Sequence, residues 1–584
     1  MPFHHSKRWE VAPALPEEVD RELAALYPPF FRQLLYNRGI LTLAEAERYL
    51  QGQVECDDPA LMLGMAATVD RLAWAVEHGE KIVVYGDYDA DGVTATALMV
   101  QVLEALGANV RPYIPSRFDE GYGLNLEAVE LLAKEGARLV LTVDCGIRSF
   151  EEAERARQLG MDLIISDHHH PLQSLPDAFA IVCPRQEGET YPDRNLAGVG
   201  LAYKIAQALL ARFPSSGLEA ADWLDLVAVG TVADVASLLG ENRMLVRRGI
   251  ERLRQGRRPG LAALAGAARL NLPKLSTFDI GFGLGPRLNA AGRMDSAMSA
   301  LELLLAKDSA TAGRLAQVLD NHNIRRQEVM RDMQERAEAI ALREGEEAIL
   351  FAFQEDFSEG ILGLAAARLT ERYYRPAVVG KIEGEYARAS CRSIPEFHIT
   401  RALDECKDLL VRHGGHSMAA GLTLRTEHLD ELRERLGQIA ARELGTRELR
   451  PVIRADKELD ASKIHRKYID SLMKYLEQLQ PTGQGNPEPV FVSRGLKVHS
   501  YRQVGSDKSH LKFSVSAGDV VFSAIAFRQG EWANHMPPSV DLMYQFEINY
   551  YNGEESLQLK VLDLRPAGSA PLEIGEPPIR GEAH

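Results

Sequence analysis

The stretch "GDYDADG" (86–92) sets three carboxylates, Asp87, Asp89 and Asp91, one residue apart directly after the apolar run "KIVVY". Charges this close repel one another and resist desolvation, so they are tolerable only when well solvated or when something positive sits among them. D-x-D-x-D-G also begins a calcium-binding EF-hand loop, but that loop follows a helix and ends on a bidentate Glu at its twelfth position. Here the twelfth position is Leu98 and the preceding run is strand-like, so the calcium reading fails. Two further apolar runs end in the same manner. "RLVLTVDCG" delivers Asp144, and "DLIISDHHHP" delivers Asp167, His168, His169 and His170. Carboxylates with a minority of imidazoles and no thiolate suit Mn²⁺ or Mg²⁺, with Zn²⁺ or Co²⁺ the poorer fit. Two such ions about 3.5–4 Å apart, bridged by a carboxylate, form a clamp for in-line attack on a phosphate. A lone Asp after a strand is more often a helix N-cap, and a histidine run in a loop is usually solvated surface. Neither reading accounts for three such clusters, each directly after an apolar strand.

Such placement requires a particular frame. "KIVVYGD", "NVRPYIP", "RLVLTVD", "DLIISDH" and "AFAIVCP" read as strands, with helical patterns such as "ATALMVQVLEALG" and "SFEEAERARQLG" between them. This alternation predicts α/β architecture: βαβ units and a mainly parallel sheet covered by helices. Ligands bind at the carboxyl edge of such sheets, so the three acidic strand ends are expected to share one crevice. Residues 308–343 contain no proline and one early glycine, which predicts a single long charged helix connecting domains. A second α/β unit follows, with "EEAILFAF" and "PAVVGKI" as strands and "GILGLAAARLTERYY" as a helix. From about 447 to 567 the texture alternates, with Asn552-Gly553 as a hairpin signal, so a small β-domain is expected. The expected organisation is an N-terminal helical segment (1–50), a catalytic α/β domain (51–305), the connecting helix (306–344), a second α/β domain (345–446), the β-domain (447–567) and a disordered tail (568–584).

Composition bounds the partners and the compartment. At 584 residues the chain needs several domains, and 46% hydrophobic with 26% charged residues is ordinary for a soluble protein. No apolar run is long enough to span a bilayer and the N-terminus lacks an apolar signal core, so the cytoplasm is expected. The five cysteines form no CxxC pair, which points to reduced thiols and away from a zinc site built on them. The net charge of -16 argues against indiscriminate nucleic-acid binding. It does not exclude a local phosphate groove, because acidic residues around metal ions are locally neutralised.

"GDYDADG", "DCG" and "SDHHHP" resemble the first three motifs of the DHH phosphoesterases, and "GTVADVASL" resembles the fourth, which adds Asp234. "SCRS" (390–393) and "GGHSMAAG" (414–421) resemble the family's substrate-binding DHHA1 domain. The segment "GFGLGPRLNAAGRM" (281–294) and the C-terminal β-domain narrow the likeness to the family's single-stranded-DNA-specific 5′→3′ exonucleases, over residues from about 45 to 565. The resemblance implies metal ligands Asp89, Asp91, Asp144, His168 and Asp234, with Asp144 as the bridge that holds the attacking hydroxide between two ions. Asp87 and His169 would support the ligands or transfer protons. Tyr85 departs from the phosphatase relatives, which often carry His there, so one metal site would be completed by water or substrate.

On the substrate side the resemblance has Arg117 and Tyr122 grip the 5′ end, Arg117 taking the terminal phosphate as a bidentate pair. Arg287, Asn289 and Arg293 would be phosphate contacts near the crevice; Ser390, Arg392, Ser393 and His416 would line the second domain's surface, with His398 close by. Gly414 and Gly415 are expected to open a helix whose N-terminus seats an anion. The β-domain pattern suits an OB-like barrel that binds single strands through Tyr501, Lys508, His510, Lys512 and Phe513, with packing or protein docking as the alternative role. The implied activity is metal-dependent release of 5′-mononucleotides from single-stranded DNA in repair and recombination, with Mn²⁺ or Mg²⁺ as cofactor. A channel between the two α/β domains would admit one strand and exclude a duplex. A 5′-ended single strand is the expected partner, with a single-strand-binding protein and a helicase as recruiting candidates. The alternative is a relative acting on short oligonucleotides or cyclic dinucleotides. A non-catalytic DNA-binding scaffold is the rival of another class, and the full set of acidic motif residues speaks against it.

Overall fold

Five parallel strands carry the acidic motifs, in the order Asn109–Tyr113, Lys81–Gly86, Leu139–Val143, Asp162–Ser166 and Ala180–Val182. The computed structural model describes residues 7–51, 57–117, 120–121, 123–343, 348–445, 448–551 and 554–576. Val, Ile and Leu dominate these strands because helices cover both faces of the sheet. On one face Val83, Tyr85, Val140, Leu163 and Ile165 share a core with Val129 and Leu132 of the helix Leu126–Lys134 and with Ala153 and Ala156 of Phe150–Gln158. On the other, the almost wholly buried helix Ala90–Ala105 packs against the helices Gly198–Arg212 and Leu224–Ala233.

Register positions the site. Gly86 pairs with Val143, and Val143 pairs with Ser166, so three adjacent strands end at one level. The chain runs from Lys81–Gly86 to the strand on one side and then crosses to Leu139–Val143 on the other. That reversal opens a crevice at the carboxyl edge.

The second α/β domain is a mixed sheet, ordered Leu410–Gly415, Ala419–Arg425, Tyr386–Arg392, Ala377–Glu383, Leu350–Gln354, with only the last pair parallel. Here the expected helix after Gly414-Gly415 is wrong. Gly414 and Gly415 close an edge strand and pair with Gly421 and Ala420, so "GGHSMAAG" is a β-hairpin. Gly415 has φ 150°, and a Cβ on it would lie 2.3 Å from Ala419 O, which is the close approach the return requires. The strand alternation of Ala419–Arg425 then buries Ala420, Leu422 and Leu424 against Tyr386–Arg392. The connecting helix runs Ser309–Ala341.

The β-domain is a closed five-stranded barrel: Phe491–Val504, His510–Ala517, Val520–Ala526, Glu554–Pro566 and Ser539–Tyr551, which returns to Phe491–Val504. Tyr551 and Glu554 pair across the hairpin, while Asn552 and Gly553 lie outside the described residues. The N-terminal segment is not purely helical, because Arg8–Val11 is a strand between Val452–Ala455 and Glu573–Ile574. The tail is therefore ordered at Glu573–Ile574; residues 577–584 lie outside the described residues. Phe30 and Phe31, on the helix Pro29–Tyr36, pack with Tyr468 and Tyr475 into the core that fills the barrel.

Candidate metal centre

Glycines let the acidic segments converge. A Cβ on Gly92 would lie 2.6 Å from both Asp87 N and Asp87 O, so the first turn of Ala90–Ala105 folds directly over the buried Asp87. Asp89 caps that helix, its Oδ1 accepting from Asp91 N at 2.9 Å and Gly92 N at 3.0 Å. Asp91 is gripped from the facing helix: its Oδ2 accepts from Gly198 N at 2.7 Å and its Oδ1 from Val199 N at 2.8 Å. Asp144 leaves its strand with φ 66°, in the left-handed region that aspartate enters more readily than most non-glycine residues. The Asp144 carboxyl points to where a Cβ on Gly198 would be, 2.6–2.7 Å away. Gly230 is similarly tight, since a Cβ there would lie 2.2 Å from Thr94 Oγ1 and 2.9 Å from Asp91 Oδ1.

His168 closes the cluster. Its Nε2 lies 3.1 Å from Asp144 Oδ1, 3.8 Å from Asp234 Oδ2 and 3.9 Å from Asp91 Oδ2. Ligand atoms fall within 4.8 Å of one another in three overlapping groups: Asp87, Asp89 and Asp144; Asp91, His168 and Asp234; Asp144, His168 and His169. His169 is oriented by Asp167, whose Oδ1 lies 2.7 Å from His169 Nδ1 and also accepts from His169 N, while Oδ2 accepts from Ile147 N.

Electrostatics states the problem such a cluster poses. Burial, then the neighbouring Asp89, pushes Asp87 up to about 8 and Asp234 up to about 7. Burial also drives Asp91 and Asp144 well above the usual carboxylate range, reinforced by Asp234 for the first and by Asp91 for the second. Burial pushes His168 down to about 3, so it is a neutral imidazole. Burial would lower His169, but the Asp167 hydrogen bond holds it above its ordinary value; in return His169 draws Asp167 below its own against its burial. Asp87 Oδ1, Asp144 Oδ1 and His168 Nε2 are fully buried without a hydrogen-bond partner among the described residues. Orphaned acceptors of this kind, mostly oxygen with a neutral imidazole nitrogen, fit divalent Mn²⁺ or Mg²⁺.

Other expected residues sit as follows. The Arg117 guanidinium lies over the Tyr88 ring at 4.8 Å, and its charge acts on Asp87. Tyr122 lies outside the described residues. Asn289 Oδ1 accepts from Ala90 N at 2.8 Å and so supports the helix that carries Asp91. Arg287 Nη1 donates to Gly283 O at 2.9 Å and Arg293 Nη1 to Gly360 O at 3.0 Å. Tyr85 is buried in the core, donating to Gly123 O and stacked on Tyr113.

In the second domain Ser390 and Arg392 lie on the strand Tyr386–Arg392, and the Arg392 guanidinium stands against Gly363 in the first turn of Leu362–Tyr373. Ser393 is buried, its Oγ donating to Phe397 O at 2.6 Å; His416 is exposed at the hairpin tip; and His398 caps Ile399–Asp404. On the barrel Tyr501 is half-exposed, whereas Phe513 is buried in the core and unavailable for stacking on a base. Its strand alternates strictly, and Phe513 falls on the inward face with Leu511, Val515 and Ala517. Sequence reasoning placed Asp167 at one of the converging strand ends but did not foresee that it orients His169, and it gave no role to Gly198 or Gly230. The glycine-rich run "LAGVG" at 196–200 was the one available signal for Gly198.

Comparison with known proteins gives three family matches: the DHH family N-terminal domain over residues 81–231, the DHHA1 domain over 346–442 and the RecJ OB domain over 455–563. The single-stranded-DNA-specific exonuclease RecJ of Bacillus subtilis (strain 168) is 37% identical over 563 residues, covering 95% of this chain and 70% of the relative. The RecJ of the same description from Escherichia coli (strain K12) is 35% identical over 578 residues, covering 94% and 98%. Among solved structures, RecJ from Thermus thermophilus in complex with Mn²⁺ superposes with a TM-score of 0.82 at 30% identity, covering 97% of this chain and 80% of that one.

Proposed function

The chain belongs to the RecJ family, and from that membership we propose that it is a metal-dependent exonuclease hydrolysing single-stranded DNA from the 5′ end to 5′-mononucleotides in DNA repair and recombination. The observation that carries the reading is the convergence of buried Asp87, Asp91 and Asp144 with His168 and Asp234 at one sheet edge, with acceptor atoms that have no hydrogen-bond partner among the described residues. Asp89, Asp91, Asp144, His168 and Asp234 would hold two Mn²⁺ or Mg²⁺ ions, the metals present in solved RecJ structures. When bound, the ions supply Lewis-acid polarisation of the scissile phosphate and lower the pKa of a coordinated water.

The chain's own residues do the rest. Asp144, locked at positive φ between His168 and Gly198, would bridge the two ion positions. The neutral His168 offers a lone pair at Nε2. His169, oriented and kept basic by Asp167, is suited to receive or return a proton at the reacting phosphate. Arg117, whose guanidinium lies over the Tyr88 ring, would take the 5′-terminal phosphate, and Ser390, Arg392 and His416 would be the second domain's own contacts to nucleic acid. Among the described residues no helix is long and apolar enough to cross a membrane. We place the activity in the cytoplasm, alongside a helicase and a single-strand-binding protein that would generate and present its substrate.

The test compares 5′-labelled and 3′-labelled single strands with a blunt duplex, in Mn²⁺, in Mg²⁺ and in EDTA. Metal-dependent release of mononucleotides from the 5′ label first, with the duplex spared, is the expected result. Cleavage confined to dinucleotides and very short oligomers, or binding with no cleavage, would overturn it.

A further inference from the structure

Asp234 is held unlike the other acidic residues of the cluster. Asp91 and Asp89 have backbone amides on their carboxylates and Asp144 is walled in, whereas no amide or side chain among the described residues donates to the Asp234 carboxylate. Its place depends on its backbone, and that backbone is strained. Val235, the next residue, has φ 61° and is 63% exposed. A β-branched residue in the left-handed region is a rare conformation, stable only where the surroundings over-determine it.

Within its own domain the turn is held by Val235 N donating to Val232 O, Ala236 N donating to Thr231 O and Asn242 Nδ2 donating to Ser237 O; the remaining contacts come from the C-terminal β-domain. Leu238 N donates to Gln484 O at 2.7 Å. A Cβ on Gly483 would lie 2.7 Å from Leu238 Cδ1, and one on Gly485, at φ 73°, would lie 2.5 Å from Ser237 Oγ. The loop is itself fastened on every side. Thr277 Oγ1 donates to Thr482 O at 2.7 Å. Asn486, fully buried, donates to Leu479 O and Pro481 O and accepts from Arg38 and Tyr49. The buried Arg243 guanidinium donates to the carbonyls of Gln478, Leu479, Gln480 and Pro481 and stacks over Tyr49 at 4.1 Å. An arginine with four backbone acceptors fixes a loop far more firmly than packing would.

We propose that the Thr482–Asn486 loop is a positioning element for the metal centre: it clamps Ser237–Leu239, sustains the strained turn at Val235 and thereby fixes the Asp234 carboxylate. The β-domain then serves ion binding as well as any contact it makes with DNA. This rests on the reading of Asp234 as a metal ligand.

The test is Mn²⁺ binding to the full chain without DNA, followed by the EPR signal of free Mn²⁺, for wild type, Gly483→Ala and Gly483→Ala/Leu238→Val. Gly483→Ala pushes on Leu238 alone; shortening Leu238 removes the atom it strikes. Gly483→Ala should weaken one Mn²⁺ equivalent by about tenfold, the scale of lost outer-sphere support, and the double variant should return to within about twofold of wild type, a rescue that general destabilisation would not show. Unchanged Mn²⁺ affinity in folded Gly483→Ala, or a loss that Leu238→Val does not repair, overturns the proposal. If Gly483→Ala does not fold, Thr277→Val, which removes one anchor of the loop, replaces it with the same expected loss and the same overturning result. Wild-type protein that binds no Mn²⁺ would instead overturn the metal-centre reading itself.

Discussion

Gly198→Ala sets local propensity against tertiary contact at the centre of the site. Gly198 opens the helix Gly198–Arg212, where alanine is intrinsically better than glycine by about 1 kcal/mol. A reading of the helix alone predicts a more stable protein. The new Cβ, however, would stand 2.6 Å from Asp144 Cβ and 2.7 Å from its Cγ and Oδ1. Carbon contacts settle at about 3.5–4.0 Å, so the two groups must separate by about 1 Å. Neither yields easily: Gly198 N is bonded to Asp91 at 2.7 Å, and Asp144 is buried in a left-handed turn. Overpacking of this kind costs about 1–3 kcal/mol, which cancels or exceeds the propensity gain. The larger effect is on chemistry, because a misplacement of about 1 Å in a positioned group costs on the order of 10²-fold in rate. Initial rates of mononucleotide release at saturating Mn²⁺ should fall by about 10²-fold, while the circular dichroism spectrum stays native. A variant within threefold of wild type, with the same Mn²⁺ affinity, would refute the packing argument and the central place given to Asp144.

Three other outcomes follow from the same geometry. Asp144→Ala should abolish hydrolysis and leave the fold intact; residual activity above about 1% of wild type in initial rates would sink the bridging assignment. Arg117→Ala should lower kcat/KM on 5′-phosphorylated strands by about tenfold or more, consistent with a charge-assisted hydrogen bond. An equal loss on 5′-hydroxyl strands would count against phosphate contact. In EDTA the folded protein keeps protons on Asp87 up to about 8 and on Asp234 up to about 7, whereas the unfolded chain releases them near 4. Between those limits the unfolded state binds fewer protons, so stability falls as pH rises. The melting temperature in EDTA should therefore drop from pH 6 to pH 8.5, and saturating Mn²⁺ should flatten the dependence; a pH-independent melting temperature in EDTA would contradict it.

Local pattern alone determined that Asp87, Asp144 and Asp167 follow apolar strands, and that those strands alternate with helices. From this a parallel sheet with its acidic residues at one edge was legible, because strand periodicity and βαβ chirality are short-range properties. The family motifs added Asp234 and the identity of the second and third domains. What the sequence could not carry is the outcome of long-range pairing and close approach. "GGHSMAAG" reads as a helix start, yet Leu410–Gly415 pairs with Ala419–Arg425, which in turn pairs with Tyr386–Arg392, and the segment is a hairpin. Arg8–Val11 and Glu573–Ile574 have nothing in their own sequence to announce each other, since Arg8–Val11 is paired on both sides, with Val452–Ala455 and with Glu573–Ile574, by segments far along the chain. Gly198 and Gly230 look like ordinary helix glycines, yet a Cβ on either would lie within 3 Å of another element: of the Asp144 side chain at a strand end for Gly198, and of Thr94 and Val199 on neighbouring helices for Gly230. Periodicity is written locally; which backbone comes near which carboxylate is decided only when the core closes.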